Sequence, residues 1–133
     1  MLKVDKEKDA ENILREEMLQ ERAAVLGRAG EKLNIALEKM TMIEHRIEDQ
    51  LQHFSYLQKK CRDARNSGEF VSLRRKIVQE INGEIGQYNH AREYAKLRYY
   101  YLIVTREAMG MRRHHWVEEI YKIPPRKKYL RDV

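Results

Sequence analysis

An all-α fold built from a few very long helices is predicted by three observations. No proline lies between Lys6 and Ile123, and the only two, Pro124 and Pro125, are adjacent. Charged residues make up 36% of the chain. Apolar residues recur at three- and four-residue spacing, the period of one helical face. The expected architecture is a long antiparallel helical hairpin, completed to a three-helix or a dimeric four-helix bundle, with a short C-terminal helix. Residues 1–123 form one helical domain on this reading, and 124–133 a basic tail.

The first helix is expected over about 6–65. Leu26, Leu33, Leu37, Met40, Ile47, Leu51, Phe54 and Cys61 trace a heptad-like seam, interrupted at Gly30, Glu44 and Gln58. Leu19 and Ala23 carry the pattern further back. Gly27 and Gly30 are the one place where this helix has reason to break, since glycine inside a helix costs about 1 kcal/mol.

Asn66-Ser67-Gly68-Glu69 supplies the turn. Asn66 or Ser67 can cap the next helix, and the Glu69 carboxylate meets free amides in its first turn. The second helix, over 69–109, sets Phe70, Leu73, Ile77, Ile81, Ile85, Tyr88, Ala95, Leu102 and Met109 on one side. Gly110 is its expected stop, with Arg106, Arg112 and Arg113 at the negative end of the dipole. A third helix over 114–121 keeps Trp116, Val117, Ile120 and Tyr121 at helical spacing, with Trp116 as its packed anchor near Met18 and Leu19. The two prolines end it, and the tail beyond is expected to be mobile.

Folding about Gly68 would set residues whose numbers sum to about 135 side by side. Arms of about 40 residues are about 60 Å long at 1.5 Å per residue. Two such helices cannot cover each other, because Tyr94, Leu97, Tyr101, Val104 and Ala108 form a second apolar face on helix two. Either the first helix folds back at Gly27–Gly30 as a third helix, or two hairpins associate through that face. A homodimer is the expected outcome. The stripe Ala23, Gly27 and Gly30 would then meet a neighbouring helix at close range.

Composition excludes several functions. The single cysteine, Cys61, allows neither an internal disulfide nor a cysteine-based zinc site and reads as a small core residue. The charged residues 1–12 contain no secretory signal, and the longest apolar run, Tyr99 to Val104, falls far short of the ~20 residues of a membrane span. A soluble, cytoplasmic protein is expected, with no membrane partner. The net charge of +6 is concentrated at Lys59–Lys76 and after Met111. Nucleic-acid association through basic clusters at 59–76 and 112–131 is therefore the alternative to a plain interaction protein.

Candidate chemistry is sparse. His45, Asp49 and His53 share one helical face, and His90 lies opposite His45 in the Gly68-centred fold, so these four are the candidate metal ligands. Their face points away from the seam, and the paired Glu-x-x-His motif of di-iron bundles is absent. No metal, cofactor or catalytic residue is assigned, and the protein is read as non-enzymatic. Gly27–Gly30 and Gly83–Gly86 match G-x-x-G, but no strand pattern accompanies them. The run Arg112-Arg113-His114-His115-Trp116 is the densest cluster of functional side chains. The five tyrosines between Tyr88 and Tyr101 read first as core or oligomer interface.

Ala23-Ala24-Val25-Leu26-Gly27-Arg28-Ala29-Gly30 is similar to the opening motif of a bacterial family of short helical proteins with no assigned function. The run Arg106 to His114, followed by Tyr121 and Ile123-Pro124, resembles that family's closing motif. The resemblance implies a small helical bacterial protein and supplies no activity. Folding about Gly68 brings the two motifs together, so Arg28, Arg106, Arg112, Arg113, His114, His115 and Trp116 are expected to form one functional end. Arg113 is expected to find a carboxylate partner or a bound anion there.

Overall fold

The computed structural model describes residues 2–61 and 67–131, with side chains from residue 5 onward. Three helices make up its regular structure: α1 (Leu2–Lys60), α2 (Gly68–Ala108) and α3 (His115–Ile120). Helix α1 runs through Gly27 and Gly30 without a break, so the three-helix fold-back does not occur. Leu26, Ala29, Leu33 and Ala36 surround the glycine stretch with anchored positions. The packing of the next turns outweighs the ~1 kcal/mol that each glycine costs a helix.

The hairpin core follows the heptad, turned by one position from the expected seam. Leu33, Met40 and Ile47 are buried, and their partners three residues on are Ala36 and Ile43. Leu37 is only partly buried against the core, and Leu51 is exposed. On α2 the buried line is Ile81, Tyr88, Ala95 and Leu102, flanked by Val78, Ile85 and Ala91. Leu73 is exposed, whereas Val78 and Ala91, which the seven-residue pattern did not pick out, are core. Tyr88, Leu33, Met40 and Ile81 are the largest side chains closed off entirely.

Helix α2 opens as expected: Ser67 is the N-cap, and its Oγ accepts from the Phe70 amide at 3.2 Å. Asn66, the other candidate cap, lies outside the described residues, as do Arg62 and Arg65. Gly68 is the first residue of α2 and not the centre of the bend. Arg46 accordingly pairs with Glu84 at 3.3 Å, five positions from the partner a Gly68-centred hairpin would give it. Cys61 sits half-buried just past the end of α1 and is not a core residue.

The C-terminal end of α2 closes in a Schellman turn. The Gly110 amide donates to the Glu107 carbonyl and the Met111 amide to the Arg106 carbonyl, each at 2.9 Å. Gly110 takes φ +86°, the left-handed conformation that glycine adopts without a Cβ clash. Within α3 only Val117 is buried. Trp116 is 71% exposed, so it does not anchor this helix. A six-residue helix presents less than two turns, and here its single inward position is Val117.

Two features lie outside the expected plan. Every described side chain from Asp5 to Val25 is exposed, so the first part of α1 buries no side chain against the described residues. The segment after α3, in contrast, is not a mobile tail: it is hydrogen-bonded along α2 as far as Leu130. No helix is long and apolar enough to cross a membrane among the described residues.

Candidate functional site

The second face of α2 is on the surface. Tyr94, Leu97, Tyr101 and Val104 are 45%, 45%, 48% and 41% exposed, and Ala108 is exposed beside them. Arg98 organises the middle of this face. Its Nε donates to the Tyr94 hydroxyl at 2.9 Å, and its guanidinium stands 5.1 Å from the Tyr94 ring and 5.8 Å from the Tyr101 ring. A planar cation against two ring faces holds both tyrosines in place while leaving their outer sides uncovered. Tyr101 also lines a small cavity with Val25, Arg28 and Arg98, which joins this face to the exposed part of α1.

The expected functional end does not assemble as one cluster. Arg106 is used structurally: its Nη2 donates to the Arg113 carbonyl at 3.0 Å and its Nε to His114 Nδ1 at 3.4 Å. His114 Nε2 lies 3.1 Å from Glu107 Oε1, so the imidazole bridges Arg106 and Glu107 across the turn. His115 pairs with Glu119 at 3.3 Å and packs edge-on to Trp116 with 5.5 Å between ring centres. Arg112 and Arg113 are exposed, and Arg113 has no carboxylate partner among the described residues. Arg28 faces Arg98 and Tyr101 and not the Arg106–His114 turn, because the register is shifted towards the N-terminus of α2.

The glycine stripe is likewise divided. A Cβ on Gly27 would meet nothing within 4 Å, and Ala23 is exposed, so neither faces a helix. Gly30 is buried, but its close neighbour is the Tyr121 hydroxyl, 3.0 Å from where a Cβ would stand. That tyrosine comes from the end of α3 and not from a neighbouring helix.

The candidate metal ligands do not converge. His45 is exposed and lies 3.7 Å from Glu48. Asp49 and His53 line a cavity of about 250 Å³ with Glu80 and Gln50, while His90 borders a different one beside Lys39 and Met42. Among the described residues no group of three or more His, Cys, Asp or Glu is placed to hold a metal ion.

What sequence reasoning missed is on the side of α2 facing the C-terminal segment. Asn89 is buried; its Oδ1 accepts from the Lys127 amide at 2.9 Å, and its Nδ2 donates to the Lys127 carbonyl at 3.0 Å. Asn82, two turns earlier, does the same for Leu130, at 2.7 and 3.0 Å. Arg92 Nε donates to the Pro124 carbonyl at 2.7 Å. The Tyr129 hydroxyl stands over Gly86, 3.5 Å from a built Cβ, and the Lys127 ammonium lies 4.9 Å from the Tyr88 ring centre. Two asparagines seven residues apart inside a helix were the available signal. Asparagine is a poor helix former, and the repeat places both on one stripe beside the core.

Two tyrosines are electrostatically perturbed. Burial, and then the negative charge of the Glu44 carboxylate, raise Tyr88 above the ordinary tyrosine value. Burial, followed by the charge of Glu118, raises Tyr99. Tyr99 also lines an open cavity of about 720 Å³ with Tyr100, Tyr121, Arg92 and Lys96.

Compared with models of protein families, with curated proteins and with solved structures, the chain gives no match.

Proposed function

We propose that this protein is a non-enzymatic, all-α interaction protein that works as a homodimer, joined through the second face of α2. One observation carries the reading: the stripe Tyr94, Leu97, Tyr101 and Val104 is apolar and half-exposed, with only Tyr101 bordering α1 across a small cavity. Contiguous apolar surface of this kind marks association sites in globular proteins. The stripe continues through Val25 to the exposed Met18 and Leu14 of α1. Leu14, Met18 and Val25 stay exposed in one copy, and a second copy lying along them would bury them. Glutamate in place of Tyr101 or Val104 should convert the dimer to monomers with an unchanged helical spectrum.

Kinship with the bacterial helical family is proposed on the residues of its two motifs. Gly30 and Tyr121 meet, and Gly110 occupies the left-handed turn, so the motif positions serve packing and chain reversal.

Nucleic-acid association is the second reading, favoured by the path of the C-terminal segment. Its run from Arg92 to Asn82 carries exposed Arg126, Lys128 and Arg131 towards Arg74 and Lys76. Retention of duplex or single-stranded probes should then fall steeply between about 50 and 200 mM salt. Absence of retention at low salt removes this reading.

A further inference from the structure

The side of α2 that carries Asn82, Gly86, Asn89 and Arg92 holds a chain segment by its main chain. Two turns of helix separate Asn82 from Asn89, roughly 10.5 Å at 1.5 Å per residue. Three residues separate Lys127 from Leu130, roughly 10 Å when extended. The two repeats match, so one side chain type at a seven-residue interval engages every third residue of a straight strand. An asparagine offers one donor and one acceptor in a plane, which is what a single residue's carbonyl and amide present. Proline fits at the leading position, because Arg92 takes the Pro124 carbonyl with its Nε and needs no amide there, while its Nη1 goes to Glu93 Oε1 at 3.2 Å.

The basic side chains of Arg126, Lys128 and Arg131 contribute little to the fit. Arg126, Lys128, Tyr129 and Arg131 are exposed, and Leu130 alone packs partly against the core. Lys127 adds a cation over the Tyr88 ring, and the Tyr129 hydroxyl fills the space over Gly86. Residues 122–131 form no helix or strand of their own. What holds the segment is its contacts with the rest of the chain: the hydrogen bonds to α2, the Leu130 packing, the Lys127 ammonium on Tyr88 and the Tyr129 ring beside Gly86.

The geometry points to a peptide-binding groove on α2, with residues 124–131 as an exchangeable occupant. The partner it fits is an extended segment of another chain, led by proline, free of proline at the two clamped residues, and bearing lysine at the first and leucine at the second. The groove lies on α2 before the Tyr94–Ala108 stripe, so the inference stands apart from the homodimer.

The test uses the full chain with Lys127→Pro and Leu130→Pro, which removes both amide donors from the resident segment without shortening it. A fluorescent peptide of residues 122–131 is then titrated by anisotropy. The peptide should bind the doubly substituted chain and not the parent at the same concentration. Adding Asn89→Ala or Asn82→Ala should weaken binding roughly tenfold each, the loss of two hydrogen bonds. A peptide carrying the same two prolines should fail to bind, whereas alanine at Arg126, Lys128 and Arg131 should leave affinity within roughly threefold. No binding by a folded, groove-opened chain overturns the inference, and so does binding indifferent to both asparagines. A measurement on the parent covers the case in which the substituted chain does not fold. The tethered segment is present at roughly millimolar effective concentration, so millimolar peptide should shift the Lys127 and Leu130 amide resonances towards their released positions. Resonances that stay in place throughout that titration overturn it equally.

Discussion

Asn89 closes two hydrogen bonds on a single residue, Lys127, one to its amide and one to its carbonyl, across 38 positions of sequence. The asparagine is 4% exposed. A buried amide left without partners loses its solvation and gains nothing, so the pair orders the segment and satisfies the helix side chain together. Hydrogen exchange checks it. The Lys127 and Leu130 amides should be protected in the parent. Asn89→Ala should abolish protection at Lys127 and cost about 1–3 kcal/mol of stability.

The two glycines of α1 should respond in opposite ways. A methyl at Gly27 meets open space, so Gly27→Ala should stabilise by up to about 1 kcal/mol through helix propensity. The same change at Gly30 places a Cβ 3.0 Å from the Tyr121 hydroxyl and should lose that gain. Tyr121→Phe removes the obstructing oxygen and should restore it. A double-mutant cycle in thermal or urea unfolding measures the coupling.

Much of this was legible before the fold was known, and the divided glycine pair shows where legibility stopped. Leu26, Leu33, Met40 and Ile47 repeat every seven residues, and local periodicity of that kind survives into the core. The Ser67 cap and the Gly110 stop were equally readable, because each acts within one turn of its own helix. Gly27 and Gly30 look alike in sequence and differ only in azimuth. Gly27 follows the core position Leu26 and points outward, while Gly30 falls where the chain returns after α3. The register missed by five positions because Gly68 is already the first residue of α2 and cannot be its pivot. The asparagine clamps were hidden for a different reason: their partners are main-chain atoms 38 and 48 residues away, and backbone atoms carry no sequence signature.

Gly110 should be the least replaceable glycine. At φ +86° an alanine Cβ is strained, and Gly110→Ala should destabilise by about 1 kcal/mol. Its melting temperature should fall, whereas Gly83→Ala, which meets nothing within 4 Å, should raise it.

Alkaline stability should depend on Tyr88. Burial and Glu44 raise its folded-state pKa above the unfolded value of about 10, so the folded chain holds the proton more tightly. The contribution is fully present below about pH 10 and is lost as pH rises through the folded value. Tyr88→Phe should flatten this alkaline decline in urea midpoints. Tyr99, raised in the same direction by burial and Glu118, adds to the same alkaline decline and is left intact by that substitution.

The central claim, that the half-exposed stripe of α2 joins two copies, is tested most directly by sedimentation velocity at micromolar concentration. The chain mass is 16.1 kDa. The account predicts a species of twice that mass for the parent, and a return to the chain mass when Tyr101→Glu and Val104→Glu are combined. A parent that sediments at the chain mass across the concentration range would contradict it.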